Sequence, residues 1–165
     1  MPTAQRNLIL DNVVIALQAI SGAPDYFYTV DPESVTRILM PVDRITIFPA
    51  LFVTEGNETS RWQTVGPQLL TNIFEIVIWG YARADGSIAI DATHAKEALL
   101  HDVEVALAAA LEPGDLNGTI VDFIPSGTTL SIETDEGLAA FFGAPDVGVF
   151  RMRLPVIYRR GWGQP

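Results

Sequence analysis

The sequence predicts an α+β fold, with a mixed, mostly antiparallel β-sheet packed against two main helices in a single domain spanning residues 1–165. Three observations carry this. Two segments show helical periodicity bounded by stop signals, and several runs alternate apolar and polar side chains at the period of a strand. No repeat, low-complexity stretch or domain-sized linker divides the chain, whose length suits one core.

Residues 3–20 are the first predicted helix, with Thr3 as N-cap and Gly22 and Pro24 ending it. At about 100° per residue its apolar positions spread widely, and Asn7, Asp11 and Gln18 share one narrow wedge. A helix with so little polar face needs cover on more than one side, and part of that cover is expected from another subunit. Residues 26–30 read as a short aromatic strand, and Asp31-Pro32-Glu33 turns the chain into a segment at 35–40. Residues 44–54, rich in Ile, Phe and Val, read as a strand in which Pro49 marks an edge or a bulge. Gly56, Asn57, Ser60 and Gly66 make residues 55–68 a long loop, and loops of that length are uncommon unless they bind something.

Residues 70–82 are the clearest strand. Leu70, Phe74, Ile76 and Ile78 fall on one face, Thr71, Glu75 and Trp79 on the other, with Asn72 and Gly80 interrupting the apolar side. Asp85-Gly86 gives a turn, Asp91 caps a second helix, and Pro113-Gly114 stops it after Leu111. Its core stripe is Ala95, Leu99, Val103, Ala106, Leu107 and Ala110. Residues 119–124 and 129–134 are expected to pair as a hairpin across Pro125-Ser126-Gly127. A loop around Phe141, Phe142, Gly143 and Pro145 leads to the last strand, 149–160, and residues 161–165 read as a flexible tail.

Composition excludes several functions. Twenty acidic residues against ten basic ones, a net charge of −10, disfavour nucleic-acid binding by the surface as a whole. With no cysteine there is no disulfide framework, thiolate nucleophile or thiolate zinc site. Arg6, the run from Leu8 to Ile20 and Ser21-Gly22-Ala23 imitate a signal peptide, but Asp11, Asn12 and Gln18 interrupt the apolar region. No stretch approaches the ~20 apolar residues of a membrane span. The expectation is a soluble intracellular protein.

The search for catalytic chemistry gives little. His94 and His101 lie two helical turns apart, too far to share one ion, and Glu97 with His101 supplies only two ligands. Both histidines, with Glu97 and Glu104, read as a polar helix face. Asp135-Glu136, with Asp115, Asp122 and Glu133 nearby in sequence, read as charged turns, because acid–base work needs two carboxylates in different environments around a substrate. No serine-nucleophile, dinucleotide or phosphate-loop motif occurs, and Lys96, the one lysine, stands in a helix. No enzyme activity, cofactor or metal is expected. The strongest chemical feature is cationic: four of the nine arginines, Arg151, Arg153, Arg159 and Arg160, lie in the last strand. Arginine pairs bidentately with carboxylates and is enriched at interfaces; the alternatives are a solvated sheet face or a DNA-binding patch.

The order of elements resembles a known family. A first amphipathic helix is followed by the Pro-interrupted strand from Ile45 to Val53, the strand from Phe74 to Tyr81, the helix from Ala98 to Leu107 and a C-terminal strand ending Leu154-Pro155-Val156-Ile157-Tyr158. This pattern, and above all the Leu-Leu-x-Asp-Val-x-x-Ala-Leu run after a strand ending in Gly-Tyr, resembles the tail-terminator and related minor tail or tail-completion proteins of tailed bacteriophages. The resemblance implies a virion protein, assembled in the host cytoplasm, that forms a ring of six copies on the head-proximal end of the tail tube. Its partners would be itself, the tail tube protein and a neck or head-completion protein, with DNA passing through the lumen without sequence-specific binding. The candidate contacts to a neighbouring subunit or the tube are Arg151, Arg153, Arg159 and Arg160, with Glu58, Arg61 and Trp62 of the long loop. Another head–tail connector, a metal-dependent hydrolase or a small ligand-binding module are the competing expectations.

Overall fold

Three long runs of β-forming residues dominate the computed structural model of the chain, which describes residues 4–62, 69–111, 116–123, 130–134 and 144–161. The elements are α1 (Gln5–Gln18), β1 (Val35–Thr36), β2 (Ala50–Trp62), β3 (Leu69–Arg83), α2 (Ala92–Leu111), β4 (Asp122–Phe123), β5 (Ser131–Thr134) and β6 (Val147–Gly161). The sheet runs β1-β2-β3-β6-β4, with β5 also beside β6. β1 is parallel to β2 and every other pair is antiparallel. The fold is therefore the α+β arrangement that the side-chain periodicities predict.

Both helices cover one face of the sheet. Ile9, Leu10, Val13 and Leu17 of α1 and Ala95, Leu99, Val103 and Ala106 of α2 pack on Leu51, Val53, Phe74, Ile76, Ile78 and, from β6, Phe150, Met152, Leu154, Val156 and Tyr158. Burial of apolar area drives this packing, at roughly 25 cal/mol per Å². On the other face a smaller cluster gathers Ala50, Phe52, Tyr81, Val147 and Val149 under Val42 and Ile45. The segment 40–48 covers that end only, and among the described residues no helix lies over the rest of this face.

Several expectations are corrected. α1 begins at Gln5 with Ala4 at its N-cap and no side-chain cap, and Thr3 lies outside the described residues. The expected strand at 26–30 makes a single bridge, Ser21 to Thr29, because the Phe27 and Tyr28 N–H groups are taken by the Asp102 carboxylate of α2. In the segment 35–40, to which the sequence assigns no element type, Val35–Thr36 form the short strand β1. The strand expected at 44–54 starts at Ala50, after a 3-10 turn at Val42–Arg44 and a cis Phe48-Pro49 bond. Pro49 therefore precedes the ladder, to which it has no N–H to donate.

The larger correction concerns 55–68. Residues 55–62 are the second half of β2, paired with β3 from Ile76 to Leu70, and residues 63–68 lie outside the described residues. A register shift between Glu55 and Glu58 marks a β-bulge at Gly56 and Asn57. The described residues of the expected 119–124/129–134 hairpin do not pair with each other: Asp122 pairs with Ile157 and Phe123 with Val156, whereas Ser131 to Thr134 pair with Arg153 to Phe150, and residues 124–129 lie outside the described residues. β4 and β5 thus run the same way along one edge of β6, as two pieces of an interrupted strand. The gap between them falls at Leu154 and Pro155, and Pro155 has no N–H for a ladder. Gly161, expected in the tail, is the last residue of β6; residues 162–165 lie outside the described residues.

α2 keeps its expected limits. The Asp91 carboxylate accepts the His94 N–H at 2.8 Å, and Ala95, Leu99, Val103, Ala106 and Leu107 are buried, with Ala110 partly so. Among the described residues no helix is long and apolar enough to cross a membrane.

Candidate interaction face

Alternation along β6 sends Phe150, Met152, Leu154, Val156 and Tyr158 into the helix-covered core. Arg151, Arg153 and Arg159 therefore lie on the opposite face, as the sequence predicts. There the register sets Arg151 beside Trp79 and Glu133, and Arg153 beside Val77 and Ser131.

Two of these arginines already have partners. Arg151 Nη2 pairs with Glu133, and its guanidinium lies 5.1 Å from the Trp79 ring centroid. Arg153 reaches Glu75 Oε1 at 3.3 Å through Nη1 and Glu133 Oε1 at 3.4 Å through Nε. Charge alternates across three strands, so the patch is close to self-neutral. Gly56 makes room for it, since a Cβ there would fall 2.5 Å from Glu75 Oε1. These groups are only partly buried, and each pair is worth about 0–1 kcal/mol, with a similar amount for the cation–π contact. Arg153→Gln, which removes two such pairs, should accordingly lower stability in urea unfolding by no more than about 2 kcal/mol. Arg159 is exposed and makes no ion pair among the described residues.

Glu58 is not a loop residue. The bulge turns it to the helix side, where Tyr158 Oη donates to its Oε1 at 2.7 Å and Arg6 Nη1 lies 3.1 Å from its Oε2. It ties α1, β2 and β6 together within one subunit. A hydrogen bond to a charged group contributes about 1.5–3 kcal/mol, so Tyr158→Phe, which keeps the ring, should lose about that amount in chemical denaturation.

Arg61 and Trp62 stand in β2 opposite Thr71 and Leu70, and β6 sets Arg159 and Arg160 opposite the same two residues. Four of the predicted contacts thus share two adjacent rows at one end of the sheet. Arg151 and Arg153 lie six to nine residues away along β6, about 20–30 Å at roughly 3.3 Å per residue. The seven residues therefore do not form one site.

The histidines do not converge. His94 Nδ1 sits 2.9 Å from Asp91 Oδ1, and the His101 ring meets Phe27 edge-on at 5.5 Å. Among the described residues no group of three or more His, Asp or Glu side chains could hold a metal ion.

Sequence reasoning missed Glu75 and Glu133 as partners of the arginines. Glu75 stands on the strand face that alternation along β3 predicts, but the pairing of β5 with β6 has no local signal. It also missed Asp102 and Lys96, both buried on α2. No protein-family model matches the chain, and no curated protein is significantly similar to it.

Proposed function

We propose that this chain is a structural subunit that closes into a ring, of six copies, at the head-proximal end of a phage tail tube, where it stops tube growth and joins the tail to the neck. The observation that carries the reading is incomplete cover. α1 leaves Leu8 39% and Ile15 58% exposed on one ridge, and the sheet face opposite the helices has no covering element among the described residues beyond segment 40–48. Exposed apolar groups beside polar rims mark contact surfaces, and identical subunits meeting head to tail usually close into rings. The order of elements, helix, two long strands, helix and long C-terminal strand, supports the same reading.

The tail tube protein and a neck protein are the partners this role requires. The acidic surplus suits a lumen through which DNA slides, because like charges repel. No cofactor is needed. Native mass spectrometry and negative-stain imaging, with and without tail tube protein, should show closed rings, and a strictly monomeric particle under both conditions rejects the proposal. Ile15→Glu should leave the subunit folded, within about 0.5 kcal/mol as for other exposed positions, yet reduce ring formation.

A further inference from the structure

At the end of the sheet where β3 leaves and β6 begins, the chain forms a cleft of about 550 Å³. Phe27, Phe48 and Ile88 give it apolar walls, and Arg83 and Asp85 supply charge. Its rim is open: Phe27 is 56% and Ile88 41% exposed. Arg83 is already committed, with Nε 3.0 Å from Asp146 and its guanidinium 4.3 Å from the Phe48 centroid. Asp85 has no ion pair among the described residues. Its carboxylate accepts the N–H groups of Ile88 at 2.9 Å and Ser87 at 2.8 Å and the Ser87 hydroxyl at 2.9 Å. These donors, Ile88 first, hold its acid down to about 2, so it is ionised at any physiological pH. The cleft therefore offers aromatic and aliphatic contact with one uncompensated negative charge, and it suits a segment carrying a large apolar side chain beside a cation.

The C-terminal end of β6 has that chemistry. Arg159 is exposed without an ion pair among the described residues, and the sequence continues Arg160-Gly161-Trp162. Gly161 pairs with Leu69 at one end of β3, while Arg83 of the cleft ends β3 at the other. Fourteen strand steps at roughly 3.3 Å put the two about 45 Å apart. The end of β6 is therefore far from the cleft of its own chain.

We infer that the cleft between Phe27, Phe48, Asp85 and Ile88 receives the Arg159–Trp162 segment of a neighbouring copy, with the indole against Phe27 and Ile88 and an arginine facing Asp85. The contact joins opposite ends of the sheet, so it is head to tail and generates a ring when the rotation closes. It rests on the ring reading for its neighbour, but not for the binding step itself.

Two measurements test it. A fluorescein-labelled peptide of residues 157–165 is titrated into the full chain carrying Trp162→Ala, which removes competition from the chain's own indole. Saturable binding is expected, weakened at least tenfold by Phe27→Ala, by Ile88→Ser and by high salt. Phe27 and Ile88 are exposed enough for the variants to keep the wild-type circular dichroism. No binding, or binding that both variants leave intact, overturns the proposal. Native mass spectrometry then compares wild type with Trp162→Ala, and a loss of rings is expected. Rings that persist at wild-type abundance overturn the tail contact and leave the ring reading standing. A wild type that forms no rings, while the peptide still binds the cleft, supports the contact and removes the ring.

Discussion

Asp102→Ala is expected to cost the fold about 2–5 kcal/mol. Asp102 is fully buried, and its two oxygens accept the N–H groups of Phe27 at 2.9 Å and Tyr28 at 2.8 Å. The Tyr28 N–H is buried and the Phe27 N–H partly so; a buried donor left without an acceptor costs about 1–3 kcal/mol, and alanine orphans both. The loss is concentrated in residues 21–30, whose backbone is otherwise held by the Ser21–Thr29 bridge and by the Tyr26 and Val30 N–H groups on Gly22 and Ile20 carbonyls. Urea denaturation followed by circular dichroism measures the effect, and a loss under about 0.5 kcal/mol would show that the segment is held by something else.

Asp102 also has a pH signature. Burial outweighs the two N–H donors and raises its acid above the ordinary carboxylate value of 3.8. The folded state then binds the proton more tightly than the unfolded state. The stability this group contributes is complete below pH 3.8 and is lost as pH rises through the raised value. The stability of wild type relative to Asp102→Asn should therefore fall as pH rises across that window and level off above it. The opposite slope would mean that the N–H donors dominate. Burial acts in the same direction on neighbouring Tyr28, pushing its phenol up to about 12, with Asp85 and Asp102 adding to the shift.

The second large effect is expected at Phe150. Its ring is fully buried and lies over Gly80, its partner across the β3–β6 ladder, in space that a Cβ at position 80 would occupy. Phe150→Ala should cost about 3–5 kcal/mol, from lost transfer energy and the cavity left behind. Gly80→Ala should cost about 1–3 kcal/mol by overpacking. The two are coupled: in the Phe150→Ala background the added methyl meets no ring, so its penalty should vanish. Strict additivity in that cycle would place the ring elsewhere. Gly80 is thus a packing requirement of one aromatic side chain, although in the sequence it reads only as an interruption of an apolar face.

Legibility followed how local each signal is. β3, β6 and α2 announce themselves because alternation or helical spacing persists over a dozen residues, and Asp91 caps α2 from within its own turn. β2 is half hidden because its bulge changes which residues face inward. Leu51 and Val53 point to the helices before it and Glu58 after it, so Glu58 and Ser60 look like loop residues. Ser60 in fact hydrogen-bonds Asn72 at 2.6 Å, which is how a buried asparagine interrupts the apolar face of β3 without penalty. β4 and β5 are too short to show a period, and β6, their common partner, follows them in the chain. The arginines could be assigned to a face, but their partners come from β3 and β5, whose adjacency to β6 is a property of the topology. The wide apolar spread of α1 did translate into structure, as the uncovered Leu8 and Ile15.

The fifteen-pair ladder between β3 and β6 also has a mechanical consequence. The C-terminal end of β6 and the C-terminal end of β3 lie at opposite ends of the sheet because the strands are antiparallel. Tension applied between those two points runs along the strands, so the ladder is loaded in shear. Its backbone hydrogen bonds then share the force together, whereas a pull across the strands would open them one at a time. A subunit gripped at these two ends resists stretching with the strongest part of its fold, while the short β4 and β5 strands, paired to the outer edge of β6, lie beside the path between the two grips.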